Sequence, residues 1–185
     1  MGFLTKQTTR EGIPTAFGIP FFLYIFAKTP KQAQEISKYM DIIITEIEHY
    51  DESILQAFER LTPQLSESAP IPTAERLQSI IDSPTTHLLG AIDNDGTIVG
   101  VLTLLFYDIP TYCKAWIEDV ITDSDYRGRG VGRALVERAL EMAREHGADN
   151  VNLTSRPSRE AARALYRKVG FEEVPTTVFR LNIHK

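Results

Sequence analysis

One stretch sets the terms on which this chain can fold. Val120-Ile-Thr-Asp-Ser-Asp-Tyr-Arg-Gly-Arg-Gly-Val-Gly-Arg-Ala-Leu135 passes from an extended run into a helical pattern through glycines at alternate positions, Gly128, Gly130 and Gly132, interleaved with Arg127, Arg129 and Arg133. Upstream, the mixed apolar and acidic run Ala115 to Thr122 reads as a strand. Downstream, Val131, Ala134, Leu135, Ala139, Met142 and Ala143 fall on one helical stripe that stops near Gly147. The first amides of a helix have no partner inside it and face outward as anion donors, and glycine lets such a backbone come close to a ligand. A dinucleotide fingerprint is excluded because Arg133 stands where its third glycine belongs, and a Walker A loop because no Gly-Lys-Ser/Thr is present. Taken alone, the stretch fits a phosphate-gripping loop or a glycine-rich turn with no ligand.

The charge distribution favours the first of these. The net charge of −5 and a pI near 5.4 argue against a general nucleic-acid binder. Between Arg127 and Lys168, however, ten Lys/Arg face five Asp/Glu, so this segment is +5 and the remainder −10. A basic segment suits a phosphate-rich ligand, and an acidic remainder tolerates a cationic amine. The single cysteine, Cys113, excludes an internal disulfide and a cysteine-based metal cluster. It reads as a small packing residue rather than a nucleophile. His49, His87, His146 and His184 lack metal-binding spacing, so no metal is expected.

Residues 1–39 read differently from the rest. Phe17 to Ala27 is an apolar, aromatic-rich run, but it is too short to span a bilayer, is broken by Pro20 and lacks a small-x-small cleavage site. The expectation is an extension, weakly ordered or packed on a domain that occupies residues 40–185, with Met40 as a candidate internal start. No membrane association and a cytoplasmic location are expected.

From Asp41 the chain alternates elements. Asp41 to Ile47 reads as a strand, and Ser53 to Leu61 as a helix that Pro63 should end. Thr73 looks like the N-cap of a helix over Ala74 to Ile81, and the polar stretch Thr62 to Pro72 between the two makes a candidate mobile rim. Thr86 to Ile92 and Thr97 to Tyr107 flank Asp93-Asn-Asp-Gly96 as a hairpin, and a loop through Pro110 leads to the strand before the glycines. Asn150 to Thr154, Ser158 to Val169 and Thr176 to Ile183 read as strand, helix ended by Gly170, and last strand.

Two motifs in this order carry a resemblance. Arg127-Gly128-Arg129-Gly130-Val131-Gly132 is an R-x-x-G-x-G that resembles the acetyl-CoA pyrophosphate loop of the GCN5-related N-acetyltransferase (GNAT) family. Ala161-Ala-Arg-Ala-Leu-Tyr-Arg-Lys-Val-Gly-Phe171 is similar to that family's A-x-x-L-Y-x-K-x-G-F, although by itself it would pass for an ordinary amphipathic helix. The resemblance covers Met40 to Lys185. It implies an α/β fold with a mixed, strongly twisted central sheet, in which two parallel strands splay apart and acetyl-CoA enters the gap, flanked by helices. It also implies acetyl transfer to a primary amine, here of a small molecule. Main-chain contacts from Val120, Ile121 and Thr122 would hold the pantetheine arm, and Arg127 to Arg133 the pyrophosphate.

Acetyl transfer from a thioester to an amine needs a base, an oxyanion stabiliser and an acid for the departing thiolate. Strand alternation puts Trp116, Glu118 and Val120 on one face, where a carboxylate sandwiched between apolar neighbours would be partly desolvated. Glu118 is therefore the first candidate for general base, acting through water. Its bland reading is a carboxylate that only pairs with an arginine. Asp119 is its rival, because the Ile117-Glu-Asp-Val120 arrangement is similar to that of glucosamine-6-phosphate N-acetyltransferases, whose acidic pair contributes to the substrate site. Tyr166 matches the family's thiolate-protonating tyrosine, the alternative being a core tyrosine beside Ala162 and Val169. Many relatives carry asparagine seven residues before that tyrosine; this chain has Arg159, which leaves that cofactor contact open. A non-catalytic acyl-CoA-sensing or protein-docking module, a protein or peptide N-acetyltransferase, and a homodimer also remain compatible with the sequence.

Overall fold

Apolar runs between Ile42 and Thr122 pair as an antiparallel meander, and the glycine loop leads from it into a parallel crossover. The computed structural model describes residues 42–183 throughout and, before them, only the backbone of three short strands, β1 (Gln7–Thr8), β2 (Pro14–Ala16) and β3 (Ile19–Pro20), which pair antiparallel. The expectations for the remainder of residues 1–39, for Met40 and for His184 lie outside the described residues.

The main sheet has the order β4-β5-β6-β7-β8, with β4 at Ile42–Glu46, β5 at Thr86–Asp93, β6 at Ile98–Ile109, β7 at Tyr112–Thr122 and β8 at Asn150–Leu153. All neighbours are antiparallel except β7 and β8, which run parallel. Helices α1 (Glu52–Leu65) and α2 (Ala74–Ile81) follow β4, α3 (Val131–His146) joins β7 to β8, and α4 (Glu160–Lys168) follows β8.

Two apolar layers cover the sheet. On one side Leu102, Leu104, Phe106, Ala115 and Ile117 pack against the α3 stripe of Val131, Leu135, Val136, Ala139, Met142 and Ala143. On the other, Leu88, Ile98, Val101 and Ile121 pack against Ile54, Ala57, Phe58 and Leu61 of α1 and Leu77 of α2. Central strands buried on both faces lose the clean alternation of a half-exposed sheet, which is why β6 reads as a nearly continuous apolar run.

Several sequence expectations need correction. Helix α1 runs through Pro63 instead of stopping before it. At that position the proline forfeits one bond near the helix end, and Ser66 N–H still closes on the Thr62 carbonyl. Thr62 is consequently buried within the helix, and the rim between α1 and α2 begins only after Leu65. Strand β7 starts at Tyr112, so Pro110 and Thr111 form a tight turn rather than a loop. Finally, no strand forms over Thr176 to Ile183: Val178, Phe179, Leu181 and Ile183 are all exposed, Phe179 at 91%.

Candidate active site

The sheet opens where β7 outlasts β8. Their ladder runs only from Lys114 opposite Asn150 to Ile117 opposite Leu153, whereas β7 continues to Thr122. Beyond Ile117 the β8-facing backbone of Glu118 to Thr122 has no strand partner among the described residues. This is the parting of parallel strands that the resemblance implied.

A bulge sits at the same point. Thr103 pairs with Glu118 and Val101 with Ile121, so Asp119 and Val120 together oppose Leu102. Asp119 takes the left-handed conformation, φ 48°, which few residues other than glycine, asparagine and aspartate tolerate. The extra residue reverses which way the strand's side chains face. Ala115 and Ile117 join the α3-side layer, as does Val120, while Ile121 joins the α1 side. The expectation that Glu118 and Val120 share a face is therefore wrong, because strict alternation fails across a bulge. Glu118 is exposed rather than sandwiched, and its Oε1 accepts a hydrogen bond from Trp116 Nε1 at 2.8 Å.

After Thr122 the chain is pinned before it reaches the glycines. Asp123 is only 7% exposed and accepts from Arg60 Nε at 2.9 Å and from the Asp125 amide at 3.2 Å, which caps a 3-10 turn over Ser124–Tyr126. Burial pushes the Asp123 carboxyl up, but the Arg60 and Asp125 hydrogen bonds and the Arg60 charge outweigh it and hold the group below the usual carboxylate range. Gln64 Oε1 accepts from the Ser124 amide at 2.8 Å, and Tyr126 donates to Asp93 Oδ2 at 2.6 Å. The loop is thus fastened to α1 and to the β5–β6 turn.

Gly128 and Gly130 follow at φ 76° and 85°, conformations open to glycine. A Cβ at either would meet no protein atom within 4 Å, so the space before the loop is free for a ligand. The first α3 bond runs from Ala134 N–H to the Gly130 carbonyl, leaving the Val131, Gly132 and Arg133 amides unpaired within the helix. Arg129 lies over the Tyr126 ring at 4.7 Å, Arg127 donates to the Thr122 carbonyl at 3.3 Å, and Arg133 pairs with Glu137 at 2.8 Å. Unpaired helix-end amides in a loop that carries Arg127, Arg129 and Arg133 are donors of the kind a pyrophosphate accepts, so the residues present fit coenzyme A.

The structure also brings the second motif to this loop. A Cβ on Gly132 would stand 3.2 Å from Thr122 Oγ1 and 3.6 Å from Leu165 Cδ2, so the end of β7, the first turn of α3 and the middle of α4 converge there. Next to Leu165, Tyr166 is half-buried and packs edge-to-face on Phe171 with ring centroids 5.9 Å apart. Burial pushes its hydroxyl pKa above the ordinary 10, against a smaller opposing pull from Arg159, which keeps the proton on the phenol. Arg159 itself donates to the Leu65 carbonyl at 2.9 Å, tying the start of α4 to the end of α1. Cys113 lies away from the loop at the other end of β7, and partial burial followed by the Asp108 carboxylate raises its thiol pKa, which suits a packing role.

Sequence reasoning missed Arg60, Gln64, Asp93 and Gly100. Gly100 is needed because a Cβ there would lie 3.0 Å from both the Ile121 carbonyl and Val131 Cγ1, so α3 could not approach the sheet. A glycine inside an apolar strand was the available signal. Arg60, Gln64 and Asp93 carry no such signal, because their partners stand far along the chain.

A five-stranded α/β sheet parted between parallel strands, with a glycine-rich strand-to-helix loop at the parting, defines the acyl-CoA transferase class of fold. The profile of the acetyltransferase (GNAT) family matches residues 52–171, and the chain belongs to that family. It is 30% identical over 144 residues to glucosamine 6-phosphate N-acetyltransferase of Trypanosoma brucei brucei, covering 71% of this chain and 91% of that one. It is 36% identical over 92 residues to N-alpha-acetyltransferase RimI of Mycobacterium tuberculosis, covering 50% and 56% of the two. The chain spans only 26% and 27% of the length of two further curated relatives. Among solved structures, a Trypanosoma brucei acetyltransferase superposes with a TM-score of 0.64 at 29% identity, over 77% of this chain and all of that one. Among the described residues no helix is long and apolar enough to cross a membrane.

Proposed function

We propose that this chain is an acetyl-CoA-dependent N-acetyltransferase acting on a primary amine of a small molecule. The observation that carries the reading is the parting of β7 from β8 at Glu118, with the helix-end amides of Val131 to Arg133 at one end and Tyr166 alongside. Acetyl-CoA supplies the acyl group as a thioester. The loop amides and Arg127, Arg129 and Arg133 bind its pyrophosphate, and the backbone of Val120, Ile121 and Thr122, on the side without a strand partner among the described residues, aligns the pantetheine arm. Glu118, exposed at the mouth, takes the amine proton through water, with Asp119 as its rival. Tyr166, held protonated by burial, gives its proton to the departing sulfur. The small-molecule reading draws support from the glucosamine 6-phosphate N-acetyltransferase, which matches over most of both chains. A peptide amine is the second reading, favoured by the RimI relative over half of this chain.

The test is thiol release from acetyl-CoA across a panel of amino sugars, aminoglycosides, polyamines and peptides with free N-termini. Turnover of one small-amine class is expected. Turnover confined to peptides would install the second reading, and coenzyme A binding with no turnover anywhere would make the chain a non-catalytic module.

A further inference from the structure

Arg159 breaks two local rules at the start of α4. A helix N-terminus carries partial positive charge and favours an anion or a small polar cap, yet this N-cap is an arginine whose side chain makes no capping bond. The side chain goes elsewhere. Its Nη2 donates at 2.9 Å to the carbonyl of Leu65, the last residue of α1, where the negative end of a helix suits a cation. Departures from local preference of this kind are expected at functional positions.

The bond stands at the mouth of the parted strands. Leu65 leans on the apolar layer on the α1 side of the sheet, whereas Leu165 and Tyr166 of α4 lean on the layer on the α3 side, so Arg159 links the two faces. Gln64, next to Leu65, holds the Ser124 amide just past the end of β7, which places the link beyond the last β7–β8 pair. Tyr166 follows Arg159 by about two helical turns and so lies on the same face of α4. A guanidinium has five N–H donors, and the Leu65 carbonyl engages it through Nη2 alone. Its charge reaches the Tyr166 hydroxyl, while Arg163 and Arg167 on the same helix are engaged by Glu173 instead.

Proton donation from a buried tyrosine leaves an anion that has to be accommodated. When the carbon–sulfur bond of acetyl-CoA breaks, its electron pair goes to sulfur and the sulfur takes the phenol proton. Tyr166 is then a phenolate until water returns a proton to it. Burial disfavours that anion, so the packing that keeps Tyr166 protonated also makes it a reluctant donor. We propose that Arg159 is a positioning residue for acetyl transfer: anchored on the Leu65 carbonyl, its guanidinium stabilises the phenolate that Tyr166 becomes as the thiol leaves. The inference rests on the acetyl-transfer reading above, and it differs from a cofactor contact in acting through Tyr166.

Thiol release from the full chain at saturating acetyl-CoA, with the best amine of the panel above, tests this alongside calorimetric titration of coenzyme A and thermal melts. Arg159→Gln keeps a donor for the Leu65 carbonyl but loses the charge. It should lower kcat roughly 3- to 10-fold, since a nearby opposite charge shifts an ionisation by about one pKa unit or more, and leave the coenzyme A Kd within about twofold. Arg159→Lys keeps the charge and should recover most of the loss; Arg159→Met replaces the glutamine variant if melts show that it does not fold. Because the effect passes through the phenol, adding Arg159→Gln to Tyr166→Phe should lower kcat no further. The inference is overturned if the two losses multiply, if glutamine serves as well as arginine, if lysine is no better than glutamine, or if a weaker Kd accounts for the loss. Failure of the underlying reading looks different: a loss below threefold in Tyr166→Phe alone removes the tyrosine from the acid role and takes the inference with it.

Discussion

Gly130→Ala separates what the phosphate loop needs for folding from what it needs for binding. Gly130 is left-handed at φ 85°, and its missing Cβ points into open space, so alanine meets no protein atom and costs only backbone strain, about 1–2 kcal/mol. For a domain of this size that lowers Tm by roughly 2–8 °C. Gly96, in the β5–β6 turn, supplies the control: φ is 81° and the Cβ space is equally empty, but it does not belong to the loop. Gly96→Ala should therefore lose the same Tm and leave coenzyme A affinity unchanged. At Gly130 the methyl group occupies the ground on which the phosphate approaches. Losing one charge-assisted amide contact costs about 1.5–3 kcal/mol, or roughly 10- to 150-fold in Kd. Calorimetric titration of coenzyme A into both variants, alongside thermal melts, reads the difference. If both variants lose the expected Tm and both keep the wild-type Kd within twofold, the loop does not hold the pyrophosphate.

Further expectations concern chemistry and pH. Tyr166→Phe should reduce kcat about 10²- to 10⁴-fold while leaving the acetyl-CoA KM nearly unchanged, since the ring keeps its packing on Phe171; steady-state thiol release checks it, and a loss below threefold removes the tyrosine from the acid role. Glu118→Gln should lower kcat/KM by a comparable factor without moving Tm, because the side chain is exposed and glutamine can still accept from Trp116; if only Asp119→Asn shows the loss, the role passes to Asp119. Asp123 titrates lower in the folded chain than in the unfolded one, so the unfolded chain takes up the proton first on acidification. Its stabilisation is whole above the ordinary carboxylate value and drains away as pH falls through the lowered folded value. Asp123→Asn should cost about 1–2 kcal/mol near neutral pH and flatten the acid side of the Tm profile; an acid limb identical to wild type would show that another group governs it.

The order of elements is legible from Ile42 to Lys168 because each carries its own local signal: apolar runs around the Asp93–Gly96 turn for β5 and β6, Thr73 at the α2 N-cap, and Gly147 after the α3 stripe. The two motifs announce the family. The features that stay hidden depend on partners distant along the chain. Proline usually ends a helix, yet α1 passes Pro63 because Ile54, Ala57, Phe58 and Leu61 are held in the core. Alternation along β7 misleads because the bulge is set by pairing with β6, and nothing in Ile117-Glu-Asp-Val120 shows which residue lacks a partner. Residues 176–183 have the alternation of a strand, yet no strand forms there, because alternation alone does not supply a partner.

The bulge gives β7 two reading frames. Before Asp119 the odd-numbered residues face α3; after it the even-numbered ones do, so Ile117 and Ile121 serve opposite layers although four residues apart. Deleting one residue at Asp119 or Val120 would restore a single frame. Either Ile121 would leave the α1 layer or the first half of the strand would turn over, and β7 would pair with β6 one residue to one. Length variation in this strand is therefore forbidden in steps of one, while the same step is harmless in the rim between α1 and α2.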